Sequence, residues 1–317
     1  MKNKENNDFF APEDWKEFTR YLSGTNRFIL SDYWKKFVDN IVSTAKKRAK
    51  TLKKGKKLVR ARIGTRWIQF DDDDEQPYPI SPHEMGPPPK QLATAGRSNS
   101  EGIPYLYLAT EIETAIAEIR PWIKSEVTIG FFEIISDLKI VDTSDDKPKN
   151  SFFLYESLNI GKVDFNIRKK PNHRYTSAEK EEYIWGDINS AFSRPISPND
   201  SPLKYLPTQF LSEKLKIEGY DGVAYRSSLN EKGYNITLFD PQKAKCLACR
   251  MYEIKKITYD FEESGNAIEL SPDGKVLYPR IVAVRPTDDD KREKKRSNSG
   301  KPHNRANSAD AKSRAAD

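Results

Sequence analysis

Cysteine, histidine and methionine are scarce in this chain of 317 residues: two, three and three. Two cysteines cannot build a disulfide framework. Cys246 and Cys249, in "CLAC", have no second pair to complete a zinc site, and His83, His173 and His303 are scattered. The pair reads as two thiols within a strand, and such low usage suits a reducing cytosol. Long apolar runs are also missing. No stretch approaches the roughly eighteen apolar residues of a membrane span, and "MKNKENNDFF" has no apolar segment of the signal-peptide kind. The expectation is a cytoplasmic protein without a membrane partner. Apolar residues make up 36% and charged residues 32%, so part of the chain is expected to be tail or linker.

What is present comes in blocks. Residues 1–55 read as a helical segment, because "SDYWKKFVDNIVSTAKKRAK" sets Trp34, Phe37, Val38, Ile41, Val42 and Ala45 at three-and-four spacing behind Ser31 as N-cap. From Leu58, "KLVRARIGTRWIQF" has the composition of a strand. "DDDDEQPYPISPHEMGPPPK" combines an acidic run with six prolines and predicts a loop. Four adjacent aspartates cannot all face one ion, so a solvated loop is the better reading.

"IPYLYLA" predicts a strand, and a helix from Thr110 follows, with Thr110 and Glu113 as a capping box and Ile112, Ala115, Ile116 and Ile119 as its apolar stripe. Arg120-Pro121 ends it. "VTIGFFEI", "LKIVD", "NITLFD" and "CLACRMYEIKKITYDF" read as strands. "EKEEYIWGDINSAF" and Pro207 to Ile217 read as helices, the second leading into a strand from Val223 to Ser227. The main domain spans residues 56–262. A hairpin extension over 263–285 turns at Pro272-Asp273-Gly274, and residues 286–317, nearly free of large apolar side chains, are expected to be a disordered tail.

One stretch, "AGRSNSEGIPYLYLATEIETAIAEI" (95–119), collects chemistry. Gly96 allows a tight turn with room for a ligand, and Arg97 offers a permanently charged fork to phosphate or carboxylate. Tyr105, Tyr107 and Ala109 share one strand face, Leu106 and Leu108 the other. A tyrosine face beside an arginine suits stacking on a heteroaromatic ring, and ordinary half-buried packing equally. Glu118 sits at the helix C-terminus, where the dipole disfavours a carboxylate. It reads as a functional group or as a surface salt bridge. In "LVRARIG", Arg60 and Arg62 share a face, and a buried arginine needs an anion: Glu118 or a bound phosphate.

Taken in order, "LVRARIG", "AGRSNSEGIPYLYLA", "TAIAEI" and "GYDGVAYRSS…NITLF" resemble the motifs of the RES domain, over about Leu58 to Asp240. The resemblance implies an α+β fold of the ADP-ribosyltransferase kind: a mixed sheet with flanking helices. It implies NAD+ as substrate, with the nicotinamide–ribose bond broken by hydrolysis or phosphorolysis, and a role as an intracellular toxin in toxin–antitoxin or phage-defence systems. Carried over by residue, Arg60, Glu118 and Ser227 are the catalytic candidates. Arg62, Gly96, Arg97, Tyr107 and Asn235 are the substrate-binding ones, Arg62 competing with Arg60. No metal and no cofactor is implied. Inorganic phosphate and an antitoxin protein are left open as partners. Many members read Gly-Gly-Arg-Trp-Asn where this chain has Ala95-Gly96-Arg97-Ser98-Asn99, so the tryptophan is missing.

Two other readings compete. A protein mono-ADP-ribosyltransferase is suggested by Glu111 and Glu113, although their place in the first helical turn is explained by capping. A nucleic-acid-binding module is suggested by the basic clusters Lys46 to Lys57 and Lys291 to Arg296. It ranks lowest, because both clusters lie outside the motif-bearing region and lack interleaved aromatics.

Overall fold

The computed structural model describes residues 10–71, 74–144, 175–194, 202–230, 233–259, 261 and 269–277. The described residues begin with two helices, α1 (Asp14–Gly24) and α2 (Asp32–Ala45), followed by β1 (Ala49–Leu52), β2 (Lys57–Ile63), β3 (Arg66–Asp71) and β4 (Asp74–Tyr78). Then come β5 (Leu106–Ala109), α3 (Ile112–Ile119), β6 (Glu126–Ile134), β7 (Leu138–Asp142), α4 (Ser177–Ser193) and α5 (Leu206–Ile217). After these, β8 (Gly222–Arg226), β9 (Tyr234–Leu238) and β10 (Ala244–Glu253) complete the main body. The chain divides into two compact units, residues 1–262 and 263–317. Of the second, a short hairpin is described, β11 (Glu269–Leu270) paired with β12 (Val276–Leu277).

Among the described residues eight strands form one mixed sheet in the order β1-β7-β8-β9-β5-β2-β6-β10, flanked by helices, which is the α+β architecture the family resemblance led us to expect. β7 and β8 run parallel, and their crossover contains α4 and α5, as a parallel connection requires. The other pairs are antiparallel. β2 and β6 pair continuously from Lys57↔Glu133 to Ile63↔Val127, whereas β2 and β5 meet at the single pair Val59↔Ala109. This seam separates the strand bearing Arg60 from the strand bearing Tyr107.

Alternation along β5 sorts its side chains as the period of two demands. Leu106 and Leu108 enter a core with Leu58, Phe132, Ile236 and Leu238. Tyr105 and Tyr107 pack on the other side with α4, α5 and the N-terminal helices. Trp15, Phe18 and Phe37 are almost fully buried in that second core, and the Phe18 ring meets Phe210 of α5 edge-on at 5.7 Å. Burying side chains of this size stabilises the fold by about 1.5–3 kcal/mol each. Trp185 of α4 adds a hydrogen bond from its Nε1 to Thr44 Oγ1 at 2.9 Å.

Three local expectations are corrected. Residues 49–52, read with the helical segment, form an edge strand of the main sheet on β7. The proline-rich stretch is not all loop: β4 pairs with β3 in a separate two-stranded ribbon that places Pro77 opposite Trp67. A proline is tolerated there because a ribbon strand has a free edge. Thr110 does not cap α3, which begins at Ile112 behind Glu111 without a side-chain cap. Its hydroxyl instead accepts from the Tyr234 amide at 3.1 Å, so pairing with β9 wins over helix capping. The expected tail over 286–317 lies outside the described residues. Among the described residues no helix is long and apolar enough to cross a membrane.

Candidate active site

Glu118 occupies the last full turn of α3, and Arg120, in the left-handed conformation at φ 47°, stops the helix just beyond it. The helix dipole disfavours a carboxylate here, so its ionised form needs other partners. Three elements supply them. Asn235, on β9, donates through Nδ2 to Glu118 Oε1 at 2.6 Å. Ser227, just past the end of β8, donates through Oγ to the same oxygen at 3.1 Å. Arg97, from the loop before β5, brings Nη2 to 3.8 Å from the other oxygen, Oε2. Oε1 is therefore committed to two neutral donors. Oε2 faces a cation just beyond hydrogen-bond range, and the Glu118 side chain is still 27% exposed.

The β8–β9 connection holds this arrangement. Ser227 Oγ accepts from the Leu229 amide at 3.2 Å, and the Ser227 amide donates to the Gly233 carbonyl at 3.0 Å. Asn230 Nδ2 donates to Thr114 Oγ1 of α3 at 2.9 Å, tying the serine loop to the helix that carries Glu118. A Cβ at Gly233 would fall 1.7 Å from that same Thr114 oxygen, so glycine is required by the close approach of loop and helix.

Arg97 is held as firmly. Tyr107 accepts from the Ser98 amide at 3.0 Å and donates to Asn99 Oδ1 at 2.7 Å, so its hydroxyl is spent on shaping the Arg97 loop. The sequence reading gave the space at Gly96 to a ligand. Here a Cβ on Gly96 would lie 2.4 Å from Asn99 Oδ1 and 2.8 Å from the Tyr107 hydroxyl, so the space belongs to these two side chains. The guanidinium itself lies over the Tyr225 ring at 5.3 Å. Burial works against its charge, but Tyr225, Glu118 and Tyr205 outweigh that and raise its pKa above the ordinary arginine value.

Arg60 stands apart from this cage. It faces Gly130 across β6 and shares its strand face with Leu58 and Arg62. Its Nη1 is buried and has no hydrogen-bond partner among the described residues. Burial first and the neighbouring Arg62 second push it down to about 10, with Tyr107 opposing. Arg62 is exposed and donates to the Glu84 carbonyl. The structure thus brings Arg97, Glu118, Ser227 and Asn235 together, places Gly96 and Tyr107 behind Arg97, and leaves Arg60 outside that group, on the face of β2 that Leu58 occupies.

Sequence reasoning passed over Tyr225, which lies fully buried under Arg97. It stands two positions before Ser227, on the same face of β8, and the strand period could have flagged it. Cys246 and Cys249 lie within β10, as expected, with their sulfurs 3.8 Å apart. Among the described residues no group of three or more His, Cys, Asp or Glu side chains could hold a metal ion. A cavity of about 390 Å³ lined by Pro82, His83, Leu106, Phe132, Pro241 and Cys246 includes none of the Glu118 cage.

Comparison with known proteins adds three findings. No curated protein matches the chain. A solved structure, the M. tuberculosis MbcT–MbcA toxin–antitoxin complex, contains a chain similar at 12% identity and a TM-score of 0.36, over 67% of this chain and 92% of that one. Residues 75–262 match the profile of the RES domain, a shorter start than the resemblance from Leu58, so Arg60 and Arg62 fall outside the matched range. The side chains gathered around Glu118 come from helices, strands and loops that all fall inside it, and since the match spans more than half of its length, the chain belongs to the RES domain family.

Proposed function

We propose that this chain degrades NAD+ by breaking the bond between nicotinamide and ribose. The observation that carries this reading is the Glu118 carboxylate, with one oxygen fixed by Ser227 and Asn235 and the other turned toward Arg97. In NAD+ the pyridinium nitrogen carries the positive charge. As the C1′–N bond breaks, its electron pair stays with nicotinamide, which leaves neutral, and the charge moves to the ribose ring. A carboxylate already oriented at that ring gains interaction energy only as the charge arrives, so it lowers the barrier rather than merely binding substrate. The oxygen of water then bonds to C1′ and one proton is released, giving ADP-ribose.

Arg60, a buried cation whose Nη1 has no partner among the described residues, would meet an anionic part of the substrate such as its pyrophosphate. The reaction as proposed draws on carboxylate and guanidinium groups alone. Phosphate in place of water would give ADP-ribose 1″-phosphate, and the products distinguish the two routes. A chain that depletes NAD+ arrests its own cell, so its role is that of an intracellular toxin, restrained by an antitoxin protein.

The test is nicotinamide release from NAD+ by purified protein, with and without phosphate. Glu118→Gln is expected to lower the rate on the order of 10²–10³-fold. No release from the wild type, or full release from Glu118→Gln, overturns the proposal. Release with the label appearing on protein instead of as free ADP-ribose identifies a transferase.

A further inference from the structure

Arg97 owes its place to more than its own loop. The carbonyl of Gly96 accepts from Gln209 Nε2 at 2.7 Å, and the carbonyl of Arg97 accepts from Thr208 Oγ1 at 2.5 Å. Thr208 and Gln209 are consecutive residues near the start of α5, at 1% and 5% exposure. A buried amide or hydroxyl is costly unless its donors are used. The hydroxyl proton of Thr208 has one alternative, the Tyr205 carbonyl at 2.9 Å, within its own turn. Two successive peptide carbonyls are thus captured by two successive side chains of another element, which fixes the peptide plane on either side of the Arg97 Cα. Tyr205, immediately before α5, is among the groups that favour the Arg97 charge.

We infer that Thr208 and Gln209 are positioning residues, holding the Arg97 guanidinium over Tyr225 and in line with Glu118. The same helix is anchored away from the site by Phe210 against Phe18 of α1 and by Lys214 to Asp39 of α2 at 3.3 Å. The N-terminal helices therefore bear on the site through α5. The inference deepens the NAD+-degrading reading and rests on it for its kinetic consequence, while its geometric content stands independently.

The experiment has two arms on the full chain. In the first, NAD+ turnover by Thr208→Val/Gln209→Leu is expected to show kcat lowered about tenfold with KM changed much less, and Gln209→Leu with Thr208→Ser is expected to recover part of the loss, because the serine hydroxyl replaces the lost donor. In the second, the coupling between Arg97→Met and Glu118→Gln is measured as a double-mutant cycle on thermal unfolding. That coupling is expected to be present in the parent chain and largely lost in the Thr208→Val/Gln209→Leu background. An unchanged kcat together with an unchanged coupling overturns the inference. If the parent releases no nicotinamide, the NAD+ reading fails and the unfolding cycle still decides the positioning role. Should the double variant not fold, Gln209→Leu alone is expected to show both effects at smaller size.

Discussion

Arg97 and Arg60 both bury a guanidinium nitrogen, Nη1, without a hydrogen-bond partner among the described residues, yet their surroundings differ in kind. Arg97 has a carboxylate at 3.8 Å and an aromatic ring beneath it, and its charge is favoured. Arg60 has a second arginine as neighbour and a depressed pKa near 10. A cation that the fold neutralises is part of the framework; one that it leaves uncompensated costs stability and is explained by an anion that arrives later. On this comparison Arg97 belongs with Glu118, and Arg60 is the arginine proposed to meet substrate.

The comparison is broken most directly by exchanging each arginine for methionine. Arg97→Met leaves Glu118 without its cation and is expected to lower the unfolding free energy by about 1–3 kcal/mol, read by denaturant titration. Arg60→Met is expected to leave stability unchanged or raise it, while weakening NAD+ binding by about 10- to 100-fold, the size of a lost charged hydrogen bond. If Arg60→Met is as destabilising as Arg97→Met, the distinction fails.

Alkaline titration sharpens the same point. Between about pH 10 and the ordinary arginine value, the unfolded chain keeps a proton on Arg60 that the folded chain has lost. The Arg60 contribution to stability therefore rises with pH through that window. Its contribution to substrate affinity moves oppositely, so KM for NAD+ is expected to climb as pH approaches 10, and this climb is expected to vanish in Arg60→Met. A climb that persists in the variant assigns it to another group.

A stability effect of similar size, without the change in substrate binding, is expected at the clamp on the Glu118 side. Gly233→Ala forces a methyl group into Thr114 and is expected to destabilise by about 1–3 kcal/mol, with Thr114→Ala recovering part in calorimetry. The smallest change is expected at Arg62, whose exposed guanidinium is already engaged with the Glu84 carbonyl. Arg62→Ala is expected to stay within about 0.5 kcal/mol of the parent and to leave KM nearly unaltered. A large rise in KM there would make Arg62 the substrate-facing arginine of β2.

The sequence was informative where a side chain's direction follows from a period. β5 put its tyrosines and leucines on opposite faces, and α2 buried Phe37, Val38, Ile41 and Ala45 as its three-and-four spacing requires. It was misleading where a local hydrogen bond competes with a distant one: Thr110 could cap α3, but an amide of β9 takes its hydroxyl. It was silent on Thr208 and Gln209, because a buried polar residue in a helix looks like a surface residue until the loop it holds is known.

By itself, then, the sequence determined the strand and helix that carry Tyr107 and Glu118, and through motifs resembling the RES domain it pointed to the α+β class and to Arg97, Ser227 and Asn235 as candidates. Tertiary structure alone decided that Ser227 and Asn235 share one oxygen of Glu118, that Arg97 faces the other, and that Arg60 Nη1 stays without a hydrogen-bond partner among the described residues. Periodicity fixes which way a side chain leaves its backbone. The hydrogen bonds to Glu118 demand distances good to a few tenths of an ångström between residues up to 117 positions apart, and those depend on how every intervening element packs.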